Sequence, residues 1–150
     1  MLENVVSDGG AGKTVQWTVL SESPSSCAAK AEVGGSETTK PAEVAGAIKV
    51  LLKEYNSKSK STFDDILDFL VRFESIHPFQ DGNGRVGRLI MFKECLKHNI
   101  IPFIITEELK MYYCRGIKNW KKERGFLRDT CFTGQDAMKA TLDYFGIKYE

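Results

Sequence analysis

The side chains best suited to chemistry are concentrated in one run, His77-Pro78-Phe79-Gln80-Asp81-Gly82-Asn83-Gly84-Arg85-Val86-Gly87-Arg88. Gly82 and Gly84 allow backbone N–H groups to turn inward and approach a ligand closely. A helical pattern starts at the same place, adding free N–H groups and a positive dipole end, so the segment reads as an anion cradle. Arg85 and Arg88 are spaced i,i+3 and project from one face of the new helix. Their charges oppose the helix dipole unless an anion offsets them, and a guanidinium fork matches phosphate oxygens well. Asp81 places a carboxylate beside this cationic nest, suited to hold magnesium together with phosphate oxygens. His77 is the one group in the loop able to accept a proton near neutral pH. An anion cradle, a magnesium carboxylate and a neutral base together imply nucleotide chemistry on an acceptor that must lose a proton.

Three other motif readings fail on spacing. Gly10-Ala11-Gly12-Lys13-Thr14 ends like a P-loop, but the leading glycine would have to stand where Ser7 does. Asp81-Gly82-Asn83-Gly84 begins like a calcium loop, but Arg85 and Val86 occupy positions that need a ligand and a glycine. There is no GxGxxG after a strand pattern. Cys95 and His98 share a helical i,i+3 spacing, yet a zinc site would need two further ligands.

The elements that must position the loop are mostly helical. Residues 1–30 read as an irregular segment rich in Gly, Ser, Ala and Thr, in which Val15, Trp17 and Val19 alternate as in a strand. Gly34-Gly35 marks a turn. A helix starts at Pro41, a residue suited to the first helical position, and carries the apolar stripe Val44, Ala45, Ile48, Leu51, Leu52 and Tyr55. Thr62 and Asp65 form a capping box for the next helix. That helix is apolar over most of its surface and is expected to be central, with Pro78 stopping it near His77. A third runs from about Asn83 to His98, with Val86, Leu89, Ile90, Cys95 and Leu96 facing inward and Asn99 as its stop. Ile100 to Ile105, interrupted by Pro102, reads as a buried strand or an extended connection. A helix capped by Thr106 runs to about Glu123, Gly125 breaks the pattern, and Gln135 to Tyr144 forms a last helix with Gly146 beyond its end.

Composition narrows the class. The chain has 150 residues, 42% of them apolar and 27% charged, which fits one ordinary globular domain. Its net charge of +1 lacks the basic excess that a dominant grip on nucleic acid or an anionic membrane would need. The basic run Lys118, Lys121, Lys122, Arg124 and Arg128 accordingly reads as a solvated face. No apolar stretch approaches the roughly 18 residues of a membrane span, and no signal peptide pattern opens the chain. Cys27, Cys95, Cys114 and Cys131, with no CxxC among them, read as reduced thiols of a cytoplasmic protein.

Residues 77–88 resemble the signature of the Fic family, His-x-Phe-x-Asp/Glu-Gly-Asn-Gly-Arg-x-x-Arg, with every fixed position matched. Val33-Gly34-Gly35-Ser36-Glu37-Thr38-Thr39 resembles the family's β-hairpin flap, and the helices that follow come in family order, so the resemblance covers about residues 31–145 and a Fic domain is expected over 31–150. It implies a mainly α fold: a Fic-type helical core with a short β-hairpin flap, about 31–40, beside the loop. It also implies a protein adenylyltransferase that moves AMP from ATP, with Mg2+, to a Ser, Thr or Tyr hydroxyl of a target protein. By position His77 would be the base and Asp81 the magnesium ligand. Gly82, Asn83 and Gly84 would supply the anion hole, Arg85 would grip the β-phosphate region and Arg88 the γ-phosphate. Phe79 would anchor the loop and Pro78 rigidify it. Gly35, Glu37, Thr38 and Thr39 would dock the target segment by strand pairing, and Tyr113, Asn119 and Trp120 would stand near adenine.

The family's inhibitory Ser/Thr-x-x-x-Glu-Gly/Asn motif has no counterpart here, nor do the helices that usually precede the flap. The resemblance therefore implies control by a separate inhibitor protein, by assembly, or by a helix of a longer chain. Three alternatives stay open: a different phosphate donor, removal of AMP, and a truncated module that binds nucleotide or a partner without turnover.

Overall fold

The structure, a computed structural model, describes residues 38–149 in full and the backbones of four short strands before them. Strand β1 (Leu2–Val5) pairs antiparallel with β2 (Gln16–Val19), Leu2 opposite Val19. Strand β3 (Glu32–Val33) pairs antiparallel with β4 (Ser36–Glu37), Val33 opposite Ser36. The alternation at Val15, Trp17 and Val19 thus marks a strand over Gln16–Val19. The P-loop-like run Gly10–Thr14, Cys27 and the turn residues Gly34 and Gly35 lie outside the described residues.

Five helices follow, and the mainly helical expectation holds: α1 (Pro41–Asn56), α2 (Phe63–Ile76), α3 (Asn83–Lys97), α4 (Glu107–Asn119) and α5 (Gly125–Tyr144). Among the described residues no helix is long and apolar enough to cross a membrane.

Helix α2 is the axis of the core. Thr62 opens it with the capping box read from the sequence: its Oγ1 accepts the Asp65 N–H at 3.2 Å, and Asp65 Oδ2 accepts the Thr62 N–H at 2.8 Å. An ion pair with Lys58, followed by these hydrogen bonds from Thr62, holds the Asp65 carboxyl at a pKa of about 2. Ile66, Leu67, Phe69, Leu70, Val71, Phe73 and Ile76 are all buried along it. Helix α1 packs against α2 with Ile48, Leu51 and Tyr55 buried, while Ala45 of the expected stripe faces solvent. Just before α1, the Thr39 N–H donates to the Ser75 carbonyl at 3.4 Å, so the chain leaving β4 lies against the last turn of α2.

Helix α3 corrects the sequence reading. Its inner face is Asn83, Gly87, Met91, Glu94 and Cys95, whereas Leu89 and Leu96, read as inward, are exposed. A glycine decides the face. A Cβ on Gly87 would stand 3.0 Å from Leu70 Cδ1 and 3.4 Å from Phe73 Cδ1, so α3 presents its bare backbone to α2. Glu94 turns inward because partners meet it there: Tyr55 donates to it at 3.1 Å and Lys93 at 2.6 Å. Burial works to raise its pKa, but Lys93, Lys97 and Tyr55 together bring it below the ordinary value.

Beyond α3, Asn99 takes a left-handed conformation (φ 56°) and ends the helix as expected. Residues 100–105 form a connection that is neither helix nor strand among the described residues. Phe103 is buried there, and Gln135 Nε2 donates to the Ile101 carbonyl at 2.5 Å. Helix α4 ends at Asn119, short of the expected Glu123, and α5 begins at Gly125, ten residues before the expected Gln135. Leu127, Thr130, Cys131 and Gly134 are the buried positions of that earlier half, and their spacing is helical. The two helices cross closely at Gly116, where a Cβ would fall 2.6 Å from Leu127 Cα.

Candidate functional site

The site is a bend between α2 and α3. His77, the C-cap of α2, adopts φ 54°, ψ 60°, and its N–H still bonds to the Phe73 carbonyl at 3.1 Å. Pro78 follows and prevents the helix from continuing. Gly82, the N-cap of α3, has φ 82°, a left-handed conformation that glycine adopts at no steric cost. Two left-handed residues thus reverse the chain within one short loop, and the imidazole and the α3 N-terminus end up on the same side.

Asn83 clamps the loop. Its side chain is 2% exposed; Oδ1 accepts the Phe79 N–H at 2.9 Å and Nδ2 donates to the Phe79 carbonyl at 2.7 Å. Phe79 packs beside Phe73, ring centroids 6.3 Å apart. The Asn83 side chain is therefore spent on the loop itself, and any contribution to an anion hole comes from its backbone.

Around the open side of this bend, His77, Gln80, Asp81, Gly82, Asn83, Gly84, Arg85 and Arg88 line a depression of about 270 Å³. All the loop residues expected to act, from His77 and Asp81 to Arg85 and Arg88, converge there. Asp81 and Arg85 are highly exposed and paired with each other, Nη2 to Oδ2 at 3.0 Å. The other Asp81 oxygen accepts the Gly82 N–H at 2.6 Å. That amide is therefore turned to Asp81 in this structure. The following first-turn amides have no helical carbonyl to bond.

The residues fit a magnesium ion in one limited sense. Among the described residues no group of three His, Cys, Asp or Glu side chains gathers to hold a metal. A single carboxylate suffices where phosphate oxygens and water complete the shell, and Asp81, at the rim, is such a carboxylate. Cys95 and His98 carry no zinc signature: the Cys95 thiol is buried and pushed up to about 12, and His98 faces Glu94 at 3.5 Å.

Not every expected residue reaches the depression. Asn119 Nδ2 donates to the Arg115 carbonyl at 2.8 Å, and Trp120 Nε1 donates to Asp68 Oδ1 at 2.9 Å. Asp68 lies nine residues before His77 on α2, about 13 Å along the axis. Neither Asn119 nor Trp120 lines the depression, and Trp120 serves to dock the end of α4 on α2. Tyr113 is buried closer by; its hydroxyl is held protonated by burial and by the neighbouring Glu74 carboxylate. Of the flap set, Thr38 and Thr39 are partly buried, Glu37 is described as backbone alone, and Gly35 lies outside the described residues.

Glu74 and Gln80 are the neighbours sequence reasoning missed. Gln80 stands at an unconstrained position of the loop. Glu74 carried a signal: it is the one acid in the second half of an apolar helix, three residues before His77. It is 7% exposed, and burial raises its pKa against the opposing pull of Arg88 and His77.

No curated protein matches the chain. The Fic/DOC family model matches residues 4–95, from within β1 through the loop to the end of the α3 inner face. With more than half of its length inside that match, and the matched part holding the whole bend from His77 to Arg88, the chain belongs to the Fic/DOC family.

Proposed function

We propose that the chain is a protein adenylyltransferase, moving AMP from magnesium ATP to a hydroxyl side chain of a target protein. The observation that carries this reading is the convergence of His77, Asp81, Arg85 and Arg88 with the α3 N-terminus around one depression. His77 accepts the proton of the target hydroxyl as its oxygen attacks the α-phosphorus, and pyrophosphate leaves. Arg85 and Arg88 hold the departing phosphates, and the first turn of α3 receives negative charge at its dipole end. Magnesium, held by Asp81, would neutralise phosphate charge. Most of the rate then comes from positioning and electrostatics. The β3–β4 ladder would act as the docking flap, a reading supported by the bond from Thr39 to Ser75, two residues from His77. The setting is cytoplasmic, with Mg2+ and ATP as the small partners and a separate inhibitor protein as a further one.

The test is incubation with α-labelled ATP, magnesium and lysate, against His77→Ala. Transfer of label by the native chain and its loss in the variant are expected. A folded native protein that labels nothing, itself included, refutes the reading. The Asp81–Arg85 pair favours a second reading, a module that binds nucleotide without turnover, because both groups are engaged with each other in the free loop. Calorimetry showing magnesium ATP binding without transfer would select it.

A further inference from the structure

The two buried glutamates of the α2–α3 layer have opposite surroundings. Glu94 is met by Tyr55, Lys93 and Lys97. Glu74 faces the site instead. Its Oε1 sits against the bare faces of two α3 glycines, 3.2 Å from where a Gly87 Cβ would stand and 3.6 Å from that of Gly84. Arg88 Nη1 flanks the same Gly84 position at 3.1 Å. The groups that face Glu74 are therefore Arg88 from α3, His77 from its own helix and Tyr113 from α4. Two of these have a buried polar atom, His77 Nδ1 and Tyr113 OH, with no hydrogen-bond partner among the described residues.

A buried carboxylate that fails to complete an ion pair contributes little to stability, since a neutral side chain of the same shape would fill the space at lower desolvation cost. Its effect is felt as charge. Arg88 lines the depression and Glu74 lies behind it, so an anion in front of Arg88 experiences both.

We propose that Glu74 is a positioning residue for the phosphate site, a buried counter-charge that holds Arg88 against the loop and weakens its grip on an anion whenever the carboxylate is ionised. The inference rests on the reading of the depression as a phosphate site. An ionised carboxylate about 10 Å from a phosphate charge would weaken its binding by about tenfold in a dissociation constant at interior screening. Glycine at 84 and 87 is what gives the carboxylate room.

The experiment measures magnesium ATP affinity by calorimetry from pH 5 to 8, in His77→Ala and in His77→Ala with Glu74→Gln. The shared His77→Ala background keeps the imidazole out of the comparison, and the ratio of the two Kd values at each pH cancels the titration of the nucleotide. The expected ratio rises with pH, reaching about tenfold in favour of the Gln variant. A ratio near one at every pH overturns the role of Glu74 while leaving the phosphate site standing. Absence of binding in every variant and in the native chain overturns both. Should Glu74→Gln fail to fold, the native chain labelled with 13C at glutamate carboxyls answers the question. By reciprocity the Glu74 resonance must titrate at higher pH with nucleotide bound, and an unmoved titration overturns the proposal.

Discussion

Asn83→Ala separates a loop clamp from a ligand contact. The native side chain satisfies the Phe79 N–H and the Phe79 carbonyl at 2.9 and 2.7 Å, and it is 2% exposed. Truncation leaves that peptide donor and acceptor in a part-buried bend with no partner. Each such loss costs about 1–3 kcal/mol, so about 3 kcal/mol in all is expected after water reaches one of them. For a domain of this length that lowers Tm by about 6–12 °C. Asn83→Asp keeps an acceptor for the Phe79 N–H but turns a second oxygen on the Phe79 carbonyl. It gains about 0.5 kcal/mol from the α3 dipole, so its net loss is about 2 kcal/mol. Urea unfolding with a common m-value is the assay. A loss below about 1 kcal/mol in Asn83→Ala, with nucleotide affinity abolished, would refute the clamp and return the side chain to the ligand.

Two further outcomes follow from packing and charge. Gly116→Ala, whose new Cβ would fall 2.6 Å from Leu127 Cα, is expected to part α4 from α5 at a cost of about 3 kcal/mol, read by urea unfolding. Asp65 titrates at about 2 in the fold against 3.8 for the free side chain, so its contribution is present above pH 4 and is lost as pH falls toward 2. After allowance for solvent screening, Asp65→Asn is expected to cost about 1 kcal/mol at pH 7 and to equal the native chain in stability only below about pH 2, followed by acid titration of both proteins.

The parts of this molecule that were legible in the sequence are those governed by local chemistry. Thr62 with Asp65, Pro78 after His77, and left-handed Asn99 and Gly146 each mark a helix boundary through an interaction within a few residues. The loop was legible because its whole machinery is contiguous. What failed depends on packing between distant segments. Leu89 and Leu96 look inward by type, but α3 is rotated by the close approach of Gly87 to Leu70, and no composition rule ranks a glycine above a leucine as a core position. The first half of α5 was missed because Gly125, Gly134 and several polar residues dilute its apolar stripe; Gly134 is needed where Phe103 lies 3.2 Å from its absent Cβ. The indole N–H of Trp120 is held by Asp68, 52 residues earlier, a contact that no local pattern announces.

The bend between α2 and α3 also bears on the order of folding. Every residue lining the depression comes from His77 to Arg88, and Glu74 stands one turn earlier. A helix, a short loop and a helix can close with little loss of chain entropy, so these groups need no long-range encounter to come together. Two distant bonds span 52 and 34 residues: Trp120 to Asp68 ties the end of α4 to α2, and Gln135 to Ile101 ties α5 to the connection after α3. Contacts of low sequence separation form quickly, so the bend can assemble before those two long-range bonds close.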